Sequence, residues 1–111
     1  MSSEDMIHKV VVDHLKQRLS RDYKEIVLNP KGSPDLILSN HGLVLAMVEV
    51  ETEKSITAQR ADEWKMMTAS GVKLILVVPK NAKVRAMEIL WQKKLADKVS
   101  VGSYEISINM P

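Results

Sequence analysis

The sequence has no cysteine and no phenylalanine, and only four glycines and four prolines in 111 residues. Without cysteine there are no disulfides, no thiolate metal sites and no cysteine nucleophile. Aromatic residues make up only 4% of the chain, and seven methionines serve as gap-fillers in a core that lacks Phe. Charge of one sign is also missing: the net charge of +2 is too small to argue for nucleic acid by itself. No apolar stretch is long enough to span a bilayer, and Met1 to Asp5 lacks the basic and apolar regions of a signal peptide. A cytoplasmic protein with no membrane partner is therefore expected. With no repeat, linker or low-complexity segment, the chain reads as one domain.

What is present centres on Leu43-Val44-Leu45-Ala46-Met47-Val48-Glu49-Val50-Glu51-Thr52. An almost unbroken Val- and Leu-rich run of this length predicts a strand buried on both faces of a sheet. It ends in two glutamates separated by one Val. Alternation puts Glu49 and Glu51 on one face, with Cα atoms roughly 6.5–7 Å apart. Two neighbouring acids raise each other's pKa unless a cation lies between them. A divalent metal that prefers oxygen ligands is the simplest such cation.

The remaining elements follow from periodicity and turn chemistry. Ser2-x-x-Asp5 opens a helix over about 4–20, with Ile7, Val10, Val11, His14, Leu15 and Leu19 on one face. Tyr23–Leu28 reads as a strand, residues 29–32 as a turn, and Pro34–Ser39 as a second strand. Asn40-His41-Gly42 forms a three-residue hairpin loop, with Gly42 available for positive φ. Ser55 caps a helix to about Ser70, with Ala58, Ala61, Trp64 and Met67 or Thr68 inward and Gly71 as its stop. Lys73–Val78 is another buried strand, ended by Pro79. Asn81 caps a third helix with Val84, Met87, Leu90, Trp91 and Leu95 inward. Val99–Val101 and Tyr104–Ile108 make one final strand or two. The fold class is α/β: a single mixed central sheet flanked by helices, an αβββαβ core plus a C-terminal αβ extension.

The hairpin carries the functional expectation. A three-residue loop sets Ser39 opposite Leu43, Ile37 opposite Leu45 and Asp35 opposite Met47. Asp35 and Glu49 are then diagonal neighbours on one face, about 7–8 Å apart, and Glu51 lies one step further along. A loop one residue longer or shorter, without a bulge, sends Asp35 to the other face. That other face, with Leu36, Leu38, Val44, Ala46, Val48 and Val50, is core. In the plainer reading, Glu49 and Glu51 sit at a strand end, solvated or paired with Lys54 and Arg60. His8 and His14 read as packing or surface residues, and Trp64 and Trp91 as core.

Gly32-Ser33-Pro34-Asp35, a hairpin, and then Glu49-Val50-Glu51 resembles the motif of the PD-(D/E)XK, or restriction-endonuclease-like, nuclease superfamily. The element order resembles that family's core over about two thirds of the chain. The resemblance implies a small Mg²⁺- or Mn²⁺-dependent DNA endonuclease, similar in size to Holliday-junction resolvases and acting as a homodimer. It implies Asp35 and Glu49 as metal ligands, with the Val50 carbonyl completing the coordination. Glu4 would be the extra acid that some members carry on the first helix. The third motif position is usually Lys, and here it is Glu51. That residue would act as base or second-metal ligand, or mark a nuclease-fold module that has lost catalysis and binds nucleic acid or a protein. Lys54 or Lys31 would supply the missing cation. Gln59, followed by Trp64, resembles the Gln-plus-aromatic element of RecB-like members. Among the basic residues, Lys80 and Lys83 near the third helix's start are the candidates for phosphate contact.

Overall fold

The computed structural model describes residues 3–29 and 33–106. Lys31 and the expected strand residues beyond Ile106 lie outside them. The chain forms α1 (Ser3–Leu19), β1 (Glu25–Leu28), β2 (Leu36–Asn40), β3 (Leu43–Val50), α2 (Arg60–Thr68), β4 (Lys73–Pro79), α3 (Lys83–Gln92) and β5 (Val99–Tyr104). These strands make one five-stranded mixed sheet in the order β1-β2-β3-β4-β5. The first three run antiparallel to their neighbours, and β3, β4 and β5 are parallel. Helices cover both faces, as the alternation of elements implies.

α1 packs on one face. Val11 and Val12 are buried with Leu36, Leu38, Ala46, Val48, Val50 and Val77. α2 and α3 cover the other face, where Ala61, Trp64, Ala86 and Leu90 meet Leu74, Leu76 and Val78. Alternate residues of β4 thus serve two cores, as a parallel strand buried on both faces must. The lone fully buried tryptophan, Trp64, does the volume-filling that phenylalanine does elsewhere.

Several details differ from the sequence reading. Val10 and His14 are exposed on α1, and the buried stripe is rotated toward His8 and Val12. Residues 8, 12, 15 and 19 keep helical spacing just as well, so hydropathy alone does not choose between the two faces. Ser55 does not open α2. It closes a 3-10 turn, Glu53–Ser55, in which its hydroxyl accepts from the Thr52 N–H at 2.9 Å. Thr57 caps the helix instead, accepting from the Arg60 N–H at 3.1 Å, and Ala58 is exposed ahead of it. Asn81 likewise lies in a 3-10 turn, Lys80–Ala82, before α3 begins. On α3 the small Ala82 and Ala86 face the sheet with Leu90, while Val84, Met87 and Trp91 point outward. β5 is a single strand with Gly102 inside it.

The hairpin loop has two residues rather than three. His41 and Gly42 both take positive φ, 54° and 79°, the pattern of a type I′ turn. Asn40 pairs with Leu43 and Ser39 with Val44. A β-bulge then skips Leu45, so that Leu38 pairs with Ala46, Ile37 with Met47 and Leu36 with Val48. Without the bulge, the short loop would have turned Asp35 to the wrong side. The extra residue restores the parity. Continued by one position, the register sets Asp35 directly against Glu49 rather than against Met47. Val44, on the tip side of the bulge, leaves the core face and is exposed.

Candidate functional site

The site lies at the end of β3 where the parallel strands finish, the edge at which α/β sheets place their ligands. Asp35 precedes β2 by one residue, following a cis Ser33–Pro34 peptide. Its Oδ2 accepts the Val50 N–H at 2.7 Å. From α1, His8 Nε2 comes within 3.1 Å of both carboxylate oxygens. Asp35 also shares a hydrogen bond with the Glu49 carboxyl. Asp35, Glu49 and Glu51 are all buried.

A guanidinium joins the two glutamates. Arg60, the first residue of α2, directs Nη2 to Glu49 Oε2 and Nε to Glu51 Oε1, each at 3.0 Å, while Nη1 meets the exposed Glu63 carboxylate. The planar fork of Arg suits this role better than the point charge of Lys. Among the described residues Glu51 Oε2 and Trp64 Nε1 are buried without a well-formed hydrogen bond, although the Trp64 N–H still favours the charged form of Glu51.

The electrostatics follow from this packing. Burial pushes the Glu49 carboxyl up to about 9, and its hydrogen bond to charged Asp35 adds to the rise. Burial also opposes ionisation of Asp35, but hydrogen bonds from His8, Glu49 and the Val50 N–H outweigh it and hold Asp35 below the usual range. Of the two acids, Glu49 therefore keeps the proton and Asp35 the charge. Hydrogen bonding to Asp35 raises the His8 imidazole. Burial raises Glu51, against Ser55, Arg60 and Trp64, which favour its charged form.

The other candidates lie around this centre. Val50 contributes its N–H to Asp35, and its carbonyl points to the same side of the strand. The Glu51 carbonyl accepts from the Tyr104 hydroxyl at 2.9 Å. Burial pushes that phenol up to about 12, with the charges of Glu4 and Glu51 adding to it. Glu4 and Tyr104 line a cleft of about 680 Å³ together with Glu53, Pro79, Lys80 and Asn81. A second cleft of about 690 Å³ opens on Asp35 itself, between His8 and Asn29. Lys54 and Gln59 are exposed and do not join the carboxylate cluster. Lys80 pairs with Glu105 at 3.7 Å on the surface, and Lys83 is half-buried at the start of α3.

The plainer sequence reading pairs Glu49 and Glu51 with Arg60 at a strand end, and that pairing is present but buried, whereas His8, read as a packing or surface residue, joins Asp35. Two signals point to them: Arg60 lies nine residues beyond Glu51, at the start of the next helix, and His8 falls on the rotated α1 stripe.

By chemistry, the donors suit a hard divalent cation: carboxylate oxygens, one of them without a well-formed hydrogen bond, and a strand-end carbonyl. By geometry, no three His, Asp or Glu side chains among the described residues stand ready to close on one ion. The guanidinium already bridges Glu49 and Glu51. The fold and site thus define a mixed α/β domain with a buried carboxylate–guanidinium centre at its strand ends. No family model, curated protein or solved structure matches the chain. No helix among the described residues is long and apolar enough to cross a membrane.

Proposed function

We propose that the protein is a Mg²⁺- or Mn²⁺-dependent DNA endonuclease with an ExE variant of the PD-(D/E)XK motif. The observation that supports this reading best is the pair Asp35 and Glu49, buried and facing each other at the end of the hairpin. Asp35, Glu49 and the Val50 carbonyl would hold the ion. Bound there, such an ion lowers the pKa of a coordinated water and offsets charge on the phosphate. Glu51 would take the proton of the attacking water or hold a second ion, and its raised pKa would make it a stronger base than an exposed glutamate. Arg60 brings the positive charge that Lys usually brings at the third motif position. The enzyme acts in the cytoplasm as a homodimer, one site for each strand of a duplex.

The test is nicking of plasmid DNA in Mg²⁺ and Mn²⁺. Asp35→Ala and Glu49→Ala abolish it, and excess chelator does the same. Activity that survives either variant or the chelator refutes the reading. Light scattering in solution checks the dimer.

Arg60 favours a second reading. A site neutralised by its own guanidinium has no need of a metal, and a nuclease-like module that binds nucleic acid or a protein without cutting would look the same. That reading is supported if neither metal yields cleavage and millimolar Mn²⁺ leaves thermal stability unchanged.

A further inference from the structure

α3 carries an outward apolar stripe that none of the described residues covers. Val84, Met87 and Trp91 recur at helical spacing and are all exposed, and Trp91 is 77% accessible. The other tryptophan, Trp64, is fully buried. Trp91 forms a ridge between two shallow grooves. One, of about 260 Å³ against β5, is lined by Lys83, Met87, Leu90, Trp91, Val99 and Val101. The other, of about 410 Å³, runs between Val84, Glu88 and Gln92.

The segment that carries this ridge is net basic, although Glu88 lines one groove and Lys80 is paired with Glu105. Residues 80–98 hold six of the sixteen Lys and Arg but only two of the fourteen acids, a local +4 in a chain whose total is +2. Arg85 is occupied by the Glu53 carbonyl. Lys93 and Lys94 are exposed at the end of α3 beside Trp91. At its other end the helix begins next to Lys80 and Asn81, which line the cleft of Glu4 and Tyr104 beside Glu51. From Asn81 to Trp91 the helix is roughly 15 Å long at 1.5 Å per residue. That is about four nucleotides of stacked strand at 3.4 Å each.

We propose that the outer face of α3 binds single-stranded nucleic acid, with an unpaired base stacked on Trp91 and phosphates held by Lys83 and Lys94. An exposed indole beside cations is the combination that single-strand binding requires: a sequence-tolerant π face and backbone neutralisation. A purely apolar partner would leave the lysines without a role, and an acidic peptide has no planar group to match the indole. The proposal takes its DNA from the nuclease reading and narrows the substrate to DNA with unpaired bases, single-stranded or branched. Its residues are separate from the carboxylate centre.

The test is tryptophan fluorescence of the full chain with chelator present, titrated with oligothymidine. Trp91 is the accessible indole, so binding quenches it while Trp64 provides a constant background. The dissociation constant should rise with salt. Lys83→Gln should reduce the log–log salt slope by about 0.7, one single-strand phosphate contact. Read by anisotropy of a dye-labelled oligothymidine, which does not use the indole as reporter, Trp91→Ala should weaken binding roughly 5- to 150-fold, the equivalent of one lost base stack, and Trp91→Phe should keep most of it. An Asp35→Ala variant should bind as the wild type does. Absence of quenching at low salt overturns the proposal. So does equal quenching by polyglutamate, which would mark a peptide site, or a spectral shift on concentrating the protein alone, which would mark self-association. Binding without cleavage by the wild type would retire the nuclease reading and leave this surface standing. Cleavage insensitive to Trp91→Ala would retire the surface alone.

Discussion

The two ends of β3 invert the usual rule of burial. At the hairpin end Leu43 is 65% exposed and Val44 and Leu45 are half in solvent, whereas at the far end Glu49 and Glu51 are each 1% exposed. Hydropathy would order them the other way. Position in the sheet decides instead. The tip extends beyond both helix layers, while the acids lie where β3 is flanked by Asp35 and His8 on one side and by β4 and α2 on the other. A buried charge persists only with partners. Here a guanidinium serves the two glutamates, and a backbone N–H and an imidazole serve Asp35.

The strongest way to break this contrast is to remove the guanidinium. Arg60→Ala leaves Glu49 and Glu51 buried without a cation and should cost about 3 kcal/mol in urea unfolding, the low end for a broken buried pair because Arg60 is itself partly in water. A loss below about 1 kcal/mol would mean that the acids do not need it. Adding metal is the next largest perturbation. At a hundred times its dissociation constant, Mn²⁺ should stabilise the fold by about 2.7 kcal/mol, and Asp35→Asn should remove that gain. If the gain survives in Asp35→Asn, the ion binds elsewhere.

Titration sharpens the contrast further. Glu49 has a folded pKa of about 9, above its unfolded value, so the folded state holds a proton that the unfolded state releases. Stability is then greatest below the ordinary carboxylate range and falls as pH rises toward 9, by at most about 1.4 kcal/mol per pH unit. His8, also raised, adds to the fall above its ordinary value. Asp35, lowered, acts in the opposite sense and contributes stability that is lost only on acidification. Urea midpoints across this range should decline for the wild type and flatten for Glu49→Gln. An unchanged decline in the variant would assign the proton to another group. The smallest effect belongs to the exposed end. Leu43→Lys should shift stability by less than about 0.5 kcal/mol, and a larger loss would show that the tip is covered in solution.

The element order and the convergence of Asp35 with Glu49 were legible in the sequence, because apolar runs and turn residues mark strands regardless of their neighbours. The route to that convergence was not. A two-residue loop and a bulge preserve the same parity as a three-residue loop, and only tertiary pairing distinguishes them. α3 was rotated in the reading because Val, Met and Trp outweigh Ala on any hydropathy scale. The sheet accepts Ala82 and Ala86 there because small side chains permit close approach, and that preference leaves no hydrophobic signal. The pairing of Arg60 with Glu49 and Glu51 was legible as the plainer reading of a strand end, but its burial was not, because an arginine at a helix start looks solvated until the strand beneath it is in place.

The bulge at Leu45 has one further consequence. Side chains on a strand alternate, so ironing out the bulge while keeping Leu45 would present Val48, not Glu49, to Asp35, whereas deleting Leu45 would remove the bulge and leave Asp35 facing Glu49. The carboxylate centre is thus tied to an odd or even count made several residues away, at a place where changes of length meet little resistance. In a hairpin of this kind the switch is whether the extra residue is absorbed in a bulge or passed along the strand: the first assembles the chemistry and the second dissolves it, without touching any residue that carries it.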